Sequence, residues 1–134
     1  MQAKAPITLS SLDFDRIEAL LDKQGHFPGR DALEAEMNRA DVLDPKDMPA
    51  NVVTMNSTVR FTMLESGKTS TLTLVYPKDM DGSGDKVSIF APVGIALLGL
   101  SVGGELQLPS PTGQVTVRVD AIEFQPENAG ELHR

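Results

Sequence analysis

From Ser10 to about Ala40, apolar residues recur at helical spacing. Phe14, Ile17 and Leu21 fall at i, i+3 and i+7 with Leu20 beside them, while Asp13, Asp15, Arg16 and Glu18 fill the other faces. Ser10 or Ser11 supplies an N-cap whose hydroxyl accepts from an otherwise unpaired amide. The pattern breaks at Gly25, Pro28 and Gly29, a stretch no helix crosses, and resumes at Asp31. There Asp31 and Glu34 have capping-box spacing, and Leu33, Met37 and Ala40 fall at i, i+4 and i+7. The spacing predicts two antiparallel helices of ~10–12 residues joined by a tight turn, a short coiled-coil hairpin. Asp13, Asp15, Glu18 and Asp22 read as the solvated face of its first helix.

Asp44-Pro45-Lys46-Asp47-Met48-Pro49 then interposes two prolines, each biasing its predecessor away from helix. Past Val52 the period changes to two. Val59 to Leu64 and Thr71 to Tyr76 alternate around a turn at Ser66-Gly67-Lys68, and Lys86 to Phe90 makes a shorter strand. Glu105–Leu108 and Gln114–Phe124 form a hairpin about Gly113, the long strand setting Val115, Val117 and Val119 against Thr116, Arg118 and Asp120. Between them, Pro92 to Gly99 is almost wholly apolar. Pro suits the first helical turn and Gly99 the left-handed exit, so a short helix is predicted, and the sheet must cover it. The fold class is α+β: a helical hairpin at 1–43, a linker at 44–51, an antiparallel sheet unit packed on one helix at 52–125, and a polar tail at 126–134.

Composition narrows the function. The 134 residues hold 12 Lys+Arg against 19 Asp+Glu, a net charge of −7, so strong direct nucleic-acid binding is not expected. With no run of roughly 18 apolar residues and no charged-then-apolar leader, neither a membrane span nor a signal peptide is expected. The absence of Cys removes disulfides, thiolate metal sites and Cys nucleophiles, and fits a cytoplasmic protein.

The chain offers little catalytic chemistry. Asp79, Asp81 and Ser83 stand at positions 1, 3 and 5 of a calcium-loop pattern with Gly84 at 6, but position 12 is Phe90 rather than a bidentate Glu. A hairpin loop explains the segment. His26 and His133 have no second ligand at metal-binding spacing, and no Gly-x-Ser-x-Gly elbow occurs. No enzyme activity, cofactor or metal is expected.

Longer stretches are more informative. Val52-Val53-Thr54-Met55-Asn56-Ser57, then Val87 to Leu100 with its Ala91-Pro92-Val93-Gly94-Ile95-Ala96-Leu97-Leu98-Gly99 core, then Gly103-Gly104-Glu105, follow one another in order. In these the chain resembles the C-terminal domain of the bacterial Gre transcript-cleavage factors. With its short hairpin, over roughly residues 7–125, it is closer still to the family members whose link to nucleoside diphosphate kinase is regulatory. The resemblance implies an FKBP-like sheet domain that docks on RNA polymerase at the rim of the secondary channel. It also implies that the Gre polymerase-contact loop, Asp-Ser-Pro, falls on Phe90, Ala91 and Pro92, with only Pro92 retained. Phe90 there is either an apolar anchor or a cap on the core.

Gre factors insert a long hairpin whose acidic tip helps hold Mg²⁺ at the polymerase centre, since hard oxygen ligands suit that ion. Helices of ~11 residues reach only about 17 Å, far short of such an arm. The tip, Lys23-Gln24-Gly25-His26-Phe27-Pro28-Gly29-Arg30, contains no carboxylate. The expectation is a monomeric antagonist that competes with Gre factors without stimulating cleavage. Alternatives are an FKBP-like prolyl isomerase, disfavoured by the small number of aromatics, and a direct regulator of a cytoplasmic enzyme that uses His26, Phe27 and Arg30.

Overall fold

The computed structural model describes residues 7–25, 30–110 and 113–126. Strand β1 (Thr8–Ser10) leads into α1 (Ser11–Gln24); α2 (Arg30–Arg39) follows and runs into β2 (Asp41–Leu43). Ser10 is the N-cap, its Oγ accepting the Asp13 amide at 3.0 Å. At 14 residues, α1 is longer than the apolar spacing predicts, because Asp22-Lys23-Gln24 carry the helix on to Gly25, whose φ of 69° ends it. Helix α2 begins at Arg30, so Asp31 lies inside the first turn rather than capping it. Glu34 is engaged by Arg30 at 3.2 Å instead of reaching back to the cap. Strands β1 and β2 carry no periodic signal in the sequence, because three residues are too few to show alternation. They pair in parallel, Thr8 opposite Asp41 and Ser10 opposite Leu43, and close the base of the hairpin.

The main sheet comprises β3 (Thr58–Met63), β4 (Lys68–Val75), β5 (Lys86–Ser88), β6 (Glu105–Ser110) and β7 (Gly113–Phe124), in the order β5-β4-β3-β7-β6. Helix α3 (Pro92–Leu97) lies between β5 and β6 in sequence. The sheet is not antiparallel throughout, as the alternation alone suggested: β5 runs parallel to β4, with Thr73 opposite Lys86 and Val75 opposite Ser88. The reason is the connection. A tight hairpin would reverse the chain, but Tyr76 to Asp85 forms a 3-10 turn at Pro77–Asp79 and a loop that carries it back to the starting end. Strand β5 stops at Ser88, short of Phe90, because Ser88 Oγ takes the Phe90 amide at 3.1 Å and Ser88 O the Ala91 amide at 3.0 Å.

One face of the sheet is the core. Val59 and Phe61 of β3, Leu74 of β4, and Val117 and Val119 of β7 are buried in one cluster with Ile95 to Leu97 of α3, which lies against β7 and β6. The opposite face is polar: Thr62 Oγ1 bonds Thr69 at 3.0 Å and donates to Asp120 at 2.6 Å, and Arg118 holds Asp120 at 3.0 Å. The hairpin's Ile17, Leu21, Leu33 and Met37 join the same hydrophobic cluster as Val53, Met55, Leu98 and Leu100. Hairpin and sheet therefore share one continuous interior. Among the described residues, no helix is long and apolar enough to cross a membrane.

Candidate functional site

The joint between α1 and the sheet is polar and buried. Residues 54–57 form a turn: the Ser57 amide donates to Thr54 O at 3.1 Å and the Thr54 amide to Ser57 Oγ at 3.0 Å. Asn56 takes φ 66°, the only positive φ at a non-glycine among the described residues and a conformation Asn tolerates better than most. The Met55 amide is thereby turned toward α1, where Asp13 accepts it at 3.0 Å; the Tyr76 hydroxyl donates to the other Asp13 oxygen at 3.4 Å. Asp13 is 2% exposed and so does not belong to the solvated face expected of it. Its spacing of i, i+4, i+8 with Ile17 and Leu21 places it on the buried side of α1, a signal present in the sequence. Burial, then the neighbouring Asp13 carboxylate, push the Tyr76 phenol well above its ordinary range.

Beside this joint, a cleft of about 960 Å³ opens between α1 and the end of β4. Arg16, Leu20 and Lys23 of α1 form one wall; Val75, Tyr76 and Lys78 form the other. Lys86 and Phe90 close one part of it. Lys86 Nζ meets Asp81 at 2.8 Å. The Lys86 hydrogen bond, followed by those from Ser83, holds the Asp81 carboxyl well below the usual carboxylate range. Asp81 of the calcium-like loop is thus committed to Lys86 and to the Ser83 amide, 3.0 Å away. Among the described residues, no group of three or more His, Asp or Glu side chains is arranged to hold a metal ion.

The sequence-predicted site residues fall in two places. Phe90, Ala91 and Pro92 form the turn into α3 and are all half-buried. The Phe90 side chain packs against the core, as a cap on it would, and also lines the cleft. Ala91 is the N-cap of α3 without a side-chain bond, and Pro92 opens the helix. His26 and Phe27 lie outside the described residues. Arg30 serves the hairpin itself, donating to Leu21 O at 2.7 Å, Gly25 O at 2.6 Å and Glu34, so it satisfies carbonyls at the end of α1. The structure brings Phe90 together with Tyr76 and the α1 cations, a grouping that sequence spacing does not reveal.

A sheet of this order on a short Pro-initiated helix, preceded by two short helices, defines a Gre-type unit. Residues 48–124 match the family model for the GreA/GreB transcription elongation factor C-terminus, and residues 6–43 match the Rnk N-terminus. The chain belongs to the GreA/GreB family, in the branch with an Rnk-type N-terminus. It is 43% identical over 132 residues to the regulator of nucleoside diphosphate kinase of Escherichia coli K12, covering 96% of this chain and 97% of that one. It is 31% identical over 108 residues to GreA of Solidesulfovibrio magneticus, covering 80% of this chain and 66% of that protein. A solved structure of a GreA/GreB elongation factor from Nitrosomonas europaea superposes with a TM-score of 0.72 at 54% identity, over 90% of this chain and 100% of that one. These relatives are named as regulators and elongation factors, not as catalysts.

Proposed function

We propose that this protein is a non-catalytic, transcription-factor-like regulator that binds RNA polymerase near the secondary channel and competes there with Gre-type factors. The sheet unit, read as FKBP-like, docks through the Phe90-Ala91-Pro92 turn, and the hairpin, read as a short coiled coil, stops short of the catalytic centre. The observation that carries this reading is the length and charge of the arm. Helix α1 has 14 residues and α2 has 10. At 1.5 Å per residue the longer one spans about 21 Å. Lys23 to Arg30 contain no carboxylate with which to hold a metal. Occupying the dock without supplying the chemistry leaves competition, decided by relative concentration. The relation to nucleoside diphosphate kinase rests on the 43% identity to its named regulator and would follow from control of transcription.

The test is a cleavage-and-competition assay on stalled elongation complexes with the full chain. The expected result is co-elution with core polymerase, displacement by excess Gre factor, and a dose-dependent loss of Gre-stimulated RNA cleavage. Acceleration of cleavage by the protein alone, or failure to bind core enzyme, overturns the proposal.

A further inference from the structure

The cleft beside α1 gathers cationic side chains on an otherwise acidic molecule. Across the whole chain the net charge is −7, yet Arg16, Lys23, Lys78 and Lys86 line this space with Asp79; Asp81 and Asp85 stand beside Lys86, and Arg16 is hydrogen-bonded to Tyr76. Arg16 and Lys23 are seven residues apart on α1, hence on one face two turns apart, and Lys78 and Lys86 approach from the sheet side. The partly exposed apolar lining is supplied by Leu20 and Phe90. Asp81 holds Lys86, whereas Lys23 and Lys78 are exposed.

We propose that this cleft binds a small molecule carrying a di- or triphosphate and a planar ring, the nucleotide class of ligand. The cations take the phosphates, and the Leu20–Phe90 surface takes the ring. The volume of about 960 Å³ lies at the upper end of small-molecule sites. A nucleic-acid strand fits less well: phosphates running beyond the cleft would meet the acidic remainder of the surface, whereas a short phosphate chain keeps its charge between the two rows. The site does not depend on the polymerase reading, although Phe90 and Lys23 enter both.

The experiment is calorimetric titration of the full-length protein with ATP, GTP and inorganic tripolyphosphate, with amide chemical shifts recorded in parallel. Saturable nucleotide binding at or below about 1 mM is expected, with shifts grouped on α1 and the end of β4. The Lys23→Glu/Lys78→Glu double variant should lose at least tenfold in affinity, and Arg60→Glu on the sheet less than twofold. Phe90→Leu should weaken ATP and GTP while leaving tripolyphosphate unchanged. Circular dichroism establishes that each variant is folded. No saturable binding, or binding that survives the double variant, overturns the site. Tripolyphosphate binding as tightly as ATP overturns the role of the apolar surface.

Discussion

Asp13 and Met55, 42 positions apart in the chain, meet where a carboxylate oxygen accepts the Met55 amide at 3.0 Å. The other oxygen receives the Tyr76 hydroxyl. One side chain on α1 therefore fixes the hairpin both to the turn that enters β3 and to the end of β4.

Asp13→Ala leaves that amide and hydroxyl without their acceptor at a buried position, an expected loss of about 2–3 kcal/mol in urea unfolding. Asp13→Asn still offers one oxygen and should recover about half of it. An Asp13→Ala protein as stable as the parent would show that the joint does not depend on this carboxylate.

Much of the architecture is visible in the residues themselves. Ser10 announces the start of α1, Pro92 and Gly99 bracket α3, and the alternation of Val117 and Val119 with Arg118 and Asp120 sets the two faces of β7. Legibility stops where contacts are non-local. The direction of β5 depends on the path of the loop after Tyr76, and the three-residue strands β1 and β2 exist only because they find each other. At the site, Phe90 is marked by the family resemblance alone. Its proximity to Tyr76, Lys23 and Lys78 is a product of the crossover and carries no periodic signature.

Gly94 sits where α3 crosses the end of β5. A Cβ there would lie 2.1 Å from Ser88 O and 3.2 Å from Ile89 Cα, both backbone atoms that cannot rotate away. Gly94→Ala is expected to cost about 3 kcal/mol and to lower the thermal midpoint accordingly. Gly82→Ala is the contrast: nothing stands within 4 Å, and the φ of 75° alone should cost about 1 kcal/mol. Equal effects at the two sites would contradict the close approach.

Tyr76 makes stability depend on alkaline pH. In the unfolded chain its phenol ionises near 10.0, and in the fold burial and Asp13 hold the proton to higher pH. Below that value both states keep the proton and the full contribution is present. Above it only the unfolded chain releases the proton, so stability falls as pH rises. Unfolding free energies from about pH 8 to about pH 11 should decline for the parent and decline less for Tyr76→Phe. Lys86, also raised, adds a smaller slope common to both, screened because it is exposed. As the chain has 1 Tyr and no Trp, phenolate absorbance follows this group alone. A native titration at the ordinary tyrosine value would refute the burial argument.

Arg30 closes the hairpin through one fork. Arg30→Lys cannot span Leu21 O, Gly25 O and Glu34 together, so it should lose most of the stability that Arg30→Ala loses, about 1–2 kcal/mol. Hydrogen exchange at the end of α1 should rise in both variants. Full retention in Arg30→Lys would reduce the contact to simple charge.

The seam between arm and body reaches as far as the first strand, where the Thr8 amide donates to Gly99 O at 3.1 Å and a Cβ on Gly99 would lie 2.9 Å from Ile7. Scissors applied near residue 50 would leave a remnant with a bare oily flank, prone to clump before it could be assayed. Grafting a longer arm from a Gre relative meets the same obstacle, since the transplanted helices must bring their own matching inner surface. In this chain the arm cannot be exchanged without refitting the surface it covers.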